Sequence, residues 1–316
     1  MYVCHSMLKI GVIGAGHLGE THIKLLKGIS DFELVGFYDG DEELKQRVSQ
    51  TLNTKSFNSV NELIDVVDVI DIVKPTIAHF DYAVNAIKQS KHIFIEKPVT
   101  STVDEAKQLL VLAEEANVKV QVGHVERFNP AFKAALPFIS NPMFIETHRM
   151  IAFDPKKANI PVVMDLMSHD LDIILSVVNA NIKKISAKGV EVIGSTPDIV
   201  NAIIEFDNGC VANLTASRIS LNNERISKFY QKDAHIKIDY LAQETSLFTL
   251  KKNGKIEICS KQLEINKENP LKRELEEFAQ SIINNTTPHV GIHDGSVMLD
   301  AAYQVAEKMQ ISASLI

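Results

Sequence analysis

The sequence has little that would tie it to a secreted, membrane-bound or nucleic-acid-binding class. It holds three cysteines in 316 residues. Cys4, Cys210 and Cys259 lie far apart, with no spacing suited to a disulfide framework or a metal knot, so reduced thiols in a cytoplasmic protein are expected. No apolar run nears the ~18 residues that a membrane-spanning helix requires. The first residues, 1–9, lack the apolar core of a secretory signal. A basic excess is missing too: 33 Lys and Arg stand against 40 Asp and Glu, a formal net charge of −7. The densest basic pairs, Lys156-Lys157 and Lys251-Lys252, are too short to follow a phosphate backbone, and no nucleic acid partner is expected. Internal repeats and low-complexity segments are lacking. What remains is an ordinary globular composition, 45% hydrophobic and 23% charged, with length for about two domains at ~150 residues each.

Over residues 1–125, short apolar runs alternate with helical spacing. Strands are predicted at 8–13, 32–38, 66–73, 92–95 and 118–122, with helices at 17–26, 41–50, 76–89 and 102–116. This alternation predicts an α/β Rossmann domain, a parallel sheet wound on both faces. Over 126–316 the pattern changes. Helices are predicted at 130–139, 163–178, 271–283 and 295–309, and a strand at 144–152. Between 182 and 258, strand-like runs follow one another without helices. Asp207-Asn208-Gly209 and Lys252-Asn253-Gly254 are hairpin signals. The second domain is therefore predicted to be α+β, with a large, mostly antiparallel open sheet.

The first strand runs into Gly14, Gly16 and Gly19, a G-x-G-x-x-G loop opening a helix. The first glycine serves the tight turn, the second the close approach of a pyrophosphate, and the third the packing of helix on strand. The amides at Gly14, Gly16, His17 and Leu18 would face the phosphates. Asp39 ends the next strand, about 20 residues further on, where a carboxylate binds an adenosine ribose. Asp41 adds negative charge and no Arg follows, which favours NAD over NADP. Ligands of wound sheets sit outside the carboxyl ends of strands. Lys74, Pro75, Thr76 and His79 occupy one such end, where they are expected to border the nicotinamide half of the cofactor, and Glu96 and Lys97 occupy another. His79 could equally be a histidine on a helix surface.

With Glu96-Lys97-Pro98, the chain resembles the glucose–fructose oxidoreductase, inositol dehydrogenase and MocA (Gfo/Idh/MocA) family. The glycine loop, the Pro75-Thr76 turn, Gly123-His124 and Arg127-Phe128 match that family in order and spacing. The resemblance implies an NAD-dependent dehydrogenase acting on a hydroxyl carbon, with Lys97 between nicotinamide and substrate. A lysine does base chemistry near neutral pH only when its pKa is lowered, as by burial or a neighbouring positive charge.

The other dense cluster runs from Asp165 to Asp172. Asp165 and His169 stand at i and i+4, sharing one helix face. A carboxylate and a histidine one turn apart suit proton relay. The resemblance assigns both to the substrate site, with His169 and Lys97 as acid–base partners and Asp165 binding a hydroxyl or orienting the pair. Asp170 and Asp172 are expected to be salt-bridge or capping groups. A divalent metal on Asp165, His169 and His124 is a competing reading, without a motif to support it; no metal is expected. The surroundings of His124, Arg127 and Arg149 resemble the branch of UDP-N-acetylglucosamine 3-dehydrogenases, which makes these three candidate substrate contacts. Arg127 could instead fix the domain interface. Around 156–161 the helix is reached through a different loop from that branch, and inositols, free aldoses and other nucleotide sugars stay open. Two rival classes are a non-catalytic NAD-binding regulator and a bilin reductase; the pair Lys97 and His169 speaks for an enzyme. The resemblance also implies a homodimer or homotetramer joined through the C-terminal sheet.

Overall fold

The structure, a computed structural model, describes residues 7–155, 160–193, 196–252 and 256–312. Cys4, the Lys156-Lys157 pair, the Asn253-Gly254 turn and most of the 156–161 loop fall outside those residues. The elements in chain order are β1 (Leu8–Ile13), α1 (His17–Leu26), β2 (Phe32–Tyr38), α2 (Glu42–Leu52), α3 (Val60–Ile64), β3 (Val69–Ile72), α4 (His79–Lys88), β4 (His92–Glu96), α5 (Val103–Glu115) and β5 (Val120–Gly123). There follow α6 (Pro130–Ala135), β6 (Phe144–Met150), α7 (Ser168–Val177), β7 (Ile182–Val190), β8 (Ile199–Phe206), β9 (Val211–Ser217), β10 (Glu224–Gln231), β11 (Ala234–Asp239), β12 (Glu244–Lys252), β13 (Ile256–Gln262), α8 (Pro270–Ile283), α9 (Ile292–Lys308) and β14 (Met309–Ser312).

The chain divides into two compact units, 1–125 with 271–296 and 126–270 with 297–316. The first holds a five-stranded sheet in the order β2-β1-β3-β4-β5, every pair parallel. Strands covered on both faces read as continuous apolar runs, and the last four residues of β1 and all of β3 are buried. Local chemistry sets the helix starts. The Asp41 side chain accepts from Leu44 N and caps α2, while Thr102 and Glu105 form a reciprocal capping box on α5, each cap worth about 1 kcal/mol.

The linear reading put 271–283 in the second domain. The structure packs α8 in the first unit. Leu275, Phe278 and Ala279 share a core with Ile10, Val12, Ile23 and Phe94, and the Phe94 and Phe278 rings lie 6.0 Å apart. Gln121 Nε2 donates to Glu274 O at 3.0 Å. Nothing in adjacency along the chain signals such a return; α8's apolar stripe needed a partner and found it more than 150 residues back. Two further differences are local. The strand expected from residue 66 starts only at Val69, after a short helix α3 that the pattern does not predict, and the 76–89 helix starts only at His79, after a 3₁₀ turn at Thr76–Ala78.

In the second unit nine strands form one sheet in the order β13-β12-β11-β10-β6-β9-β8-β7-β14. It is antiparallel except for β6 with β9 and β7 with β14. The 207–209 turn joins β8 and β9 as an antiparallel pair, with Gly209 at φ 87°, the left-handed conformation that favours glycine. Strand β6 alternates strictly: Ile145, Thr147 and Arg149 are buried, and the residues between them are not. The inward side chains, among them Ile204, Leu214 and Phe229, form one core with residues of α6, of α7 and of the later part of α9.

Candidate active site

In the first unit, Gly14 adopts φ 114°, and an added Cβ would lie 2.3 Å from the carbonyl oxygen of Val73. A Cβ on Gly19 would lie 2.1 Å from the Gly14 oxygen. Both positions admit only glycine for reasons internal to the protein. Gly16 differs: its φ is −63° and a Cβ there would meet no protein atom within 4 Å. The space above Gly16 is left open, next to the first amides of α1, which no helical carbonyl can reach. His17 and Leu18 are exposed beside it, Leu18 by 44%. A phosphate fits this cradle, by its shape and by the partial positive charge of a helix N-terminus.

Asp39 closes the cradle and is buried. Its Oδ2 accepts from Ala15 N at 2.7 Å, and its Oδ1 from Asp41 N at 3.1 Å and from Lys74 Nζ at 2.8 Å. Burial works against the Asp39 charge, but the Lys74 ammonium and the two amides outweigh it and hold the carboxyl below its usual range. Lys74, expected beside the nicotinamide half, therefore reaches across to Asp39, the acid expected at the adenosine ribose. Pro75 is exposed and Thr76 half-buried.

His79 is 1% exposed and is no surface histidine. Its Nδ1 lies 2.9 Å from Pro98 O and its Nε2 2.6 Å from Lys74 O. Burial pushes its pKa down. Expected as a cofactor contact, His79 has its ring set between the two loops that carry Lys74 and Lys97, each nitrogen facing a backbone carbonyl. Glu96 and Lys97 are half-buried at the carboxyl edge of β4. The amide of Lys97 donates to Glu96 Oε2 at 3.3 Å. A Cβ on Gly123 would come within 2.9 Å of the Glu96 carboxyl carbon, so that glycine makes room for Glu96.

Two residues behind Glu96 escaped the sequence reading. His22 of α1 and Asp71 of β3 have no solvent exposure, and the His22 ring stands between Asp71 and Glu96. The signal was a charged residue inside the apolar run Val69-Ile70-Asp71-Ile72, a position that burial allows only with a partner.

In the second unit, Asp165 and His169 are both half-buried. They straddle the junction between a π-type turn, Val163–Met167, and α7, where one continuous α-helix was expected. An i→i+5 turn is wider than an α turn and is common at functional sites. A four-residue step across it falls just short of a full circle instead of just past it, which keeps the two side chains on one side.

Arg127 and Arg149, expected as substrate contacts, are buried ion-pair partners. Arg127 grips Asp172 with parallel bonds of 2.8 Å from Nε and Nη2. Arg149 is 2% exposed. Its Nη1 donates to Glu126 at 3.0 Å, and its Nε and Nη2 donate to Asp170 at 3.0 to 3.2 Å. Burial works against the Arg149 charge, but Asp170 and Glu126 outweigh it and hold the guanidinium firmly protonated. With every nitrogen turned to a carboxylate inside the protein, Arg149 has no face for a substrate phosphate. These pairs anchor the helix that carries His169. His124, in the first unit, is 1% exposed. Among the described residues no three His, Cys, Asp or Glu side chains gather as a metal site, and no helix is long and apolar enough to cross a membrane.

Two family patterns match the chain. "Oxidoreductase family, NAD-binding Rossmann fold" covers residues 8–124, and "GFO/IDH/MocA C-terminal domain" covers residues 139–236. The chain belongs to the Gfo/Idh/MocA family of oxidoreductases. Its NAD-binding half is the unit with the open cradle above Gly16. Within the family, the chain is 32% identical over 302 residues to a UDP-N-acetylglucosamine 3-dehydrogenase of Acidithiobacillus ferrooxidans, covering 94% of this chain and 96% of that one. A crystal form of that enzyme superposes with a TM-score of 0.91, covering 96% and 98% of the two chains. A scyllo-inositol 2-dehydrogenase of Bacillus subtilis is 26% identical, over 93% and 91% of the two chains.

Proposed function

We propose that this member of the Gfo/Idh/MocA family is an NAD-dependent dehydrogenase of a nucleotide sugar, of the UDP-N-acetylglucosamine type. The observation that carries the substrate class is the extent of the likeness to the Acidithiobacillus enzyme, 32% identity over 94% of the chain, which runs through the second unit and not only the cofactor half. The 26% likeness to the inositol enzyme is weaker over the same span.

Bound NAD supplies the hydride acceptor. The amides over Gly16 hold its pyrophosphate and Asp39 its adenosine ribose. Lys97 takes the proton of the reacting hydroxyl. His169 serves as the acid–base group of the second unit, and Asp165 orients the histidine or receives a neighbouring sugar hydroxyl. General acid–base help of this kind contributes about 10²–10⁴-fold in rate. His79, Glu96 and the buried arginines serve this chemistry by holding the loops and the helix that bear it.

We place the enzyme in the cytoplasm, where NAD and activated sugars meet, and read it as a homodimer or homotetramer. Supporting the oligomer, the outer face of the large sheet carries a row of rings across four strands. Tyr230 and His235 are stacked at 4.3 Å and His235 and Phe248 at 5.1 Å, with Phe144 5.9 Å from Tyr230. A clean monomer in light scattering at micromolar concentration would sink the oligomer.

The activity test offers UDP-N-acetylglucosamine, scyllo-inositol and glucose 6-phosphate in parallel, following nicotinamide absorbance with excess NAD and, with 2-oxoglutarate added to reoxidise tightly held cofactor, the oxidised sugar by mass spectrometry. Turnover of the UDP-sugar that Lys97→Ala abolishes supports the proposal. Turnover of inositol alone removes the substrate class and keeps the dehydrogenase. Cofactor binding with no turnover of any polyol or sugar would favour a regulator.

A further inference from the structure

Dinucleotide sites separate NAD from NADP at the adenosine ribose, where an acid binds the 2′-hydroxyl or a nearby cation accommodates a 2′-phosphate. The stretch after β2 offers the acid, Asp39, and no cation. The fold supplies one from another strand. Lys74 ends β3, and its Nζ lies 2.8 Å from Asp39 Oδ1, across 35 residues of sequence. Its stem runs over the phosphate loop, with Cδ 3.3 Å from where a Cβ of Gly14 would be.

The two partners are held differently. The carboxylate is fixed, since the Ala15 and Asp41 amides bind its two oxygens and its side chain is 5% exposed. The ammonium ends a flexible four-carbon stem, and the Lys74 side chain is more open, at 18%. The remaining acids nearby are occupied: Asp41 caps α2 at 3.0 Å, and Glu42 pairs with Lys45 at 2.6 Å. Without Lys74, a ribose 2′-phosphate would meet the bare charge of Asp39. With it, the phosphate meets a neutral pair whose cation can swing to it, in the way a lysine serves as a point charge for phosphate.

Building on the reading that the 14–19 loop and Asp39 hold a dinucleotide, we infer that Lys74 is a specificity-determining residue that makes the adenosine end of the site tolerant of a 2′-phosphate, so that the protein binds NADPH as well as NADH.

The experiment is calorimetric titration of the full-length protein with NADH and with NADPH, comparing wild type, Lys74→Met and Lys74→Arg. Wild type is expected to bind NADPH within about tenfold of NADH, a gap of about 1.4 kcal/mol or less. Lys74→Met keeps the stem and loses the charge; it should weaken NADPH at least tenfold more than it weakens NADH. Lys74→Arg should restore NADPH binding. An NADPH-to-NADH ratio that is unchanged in Lys74→Met, or an equal loss of both, overturns the inference while NADH binding upholds the dinucleotide reading. Wild type that binds neither cofactor overturns both.

Discussion

His22 Nδ1 lies 2.8 Å from Asp71 Oδ2, and neither side chain has any solvent exposure. On the other side of the ring, Nε2 is 3.2 Å from Glu96 Oε1. A ring set between two carboxyl groups is stabilised with both nitrogens protonated. Burial works against that charge, but Asp71 and then Glu96 outweigh it and raise the His22 pKa from 6.5 to about 10. A folded pKa above the unfolded one adds stability that is complete below pH 6.5 and is lost as pH rises toward about 10. In urea unfolding, the advantage of wild type over His22→Gln should therefore be largest at or below pH 6.5 and shrink steadily up to pH 10. A pH-independent difference would mean that the ring is neutral.

Gly14 and Gly16 should respond to alanine in opposite ways. Gly14→Ala must strain a left-handed φ and meet the Val73 carbonyl oxygen, so it should lower thermal stability by several kcal/mol or prevent folding. Gly16→Ala fits its backbone and touches nothing. It should unfold within about 0.5 kcal/mol of wild type and yet lose NADH affinity by an order of magnitude or more. Unchanged NADH affinity would mean that the cradle is not the pyrophosphate site.

Arg149 should matter for folding before it matters for substrate. Arg149→Met leaves Asp170 and Glu126 buried beside an apolar stem, and breaking such a pair costs roughly 3–5 kcal/mol. Thermal or urea unfolding measures this directly. Normal stability with a raised substrate KM would return Arg149 to the role first expected of it.

Lys97→Ala and His169→Asn should each lower kcat by about 10²-fold or more and leave NADH affinity within a few fold. Titration of the cofactor alongside turnover of the UDP-sugar separates the two effects. A loss of cofactor binding in step with turnover would make either residue structural.

The cofactor half was legible because its chemistry is local. Three glycines at fixed spacing, an acid after the next strand and apolar runs bounded by turns lie within a few dozen residues, and β1, α1 and β2 begin and end where the pattern put them. The missed features depend on contacts distant in sequence. Helix α8 completes a core that starts at Ile10, and β14 adds a parallel strand beside β7 from the far end of the chain. Residue type alone also misled. An arginine near a site looks like a phosphate ligand until its carboxylate partners are seen, and Arg149 has two, one from Glu126 and one from Asp170. The converse held for Asp71, an acid in an apolar strand, which was the visible trace of a pair whose other member, His22, looked like one more helix residue.

Strand β14 has a consequence for handling the protein. It is four residues long and lies at the margin of the nine-stranded sheet, paired from Met309 with Ala187 to Ser312 with Val190. Without it, the 187–190 stretch of β7 would present its amides and carbonyls unpaired and lengthen the open border on which chains add to one another and aggregate. A deletion that removes 309–312 would touch no residue of the proposed site and would still be expected to cost solubility, through filament-like association of otherwise folded molecules.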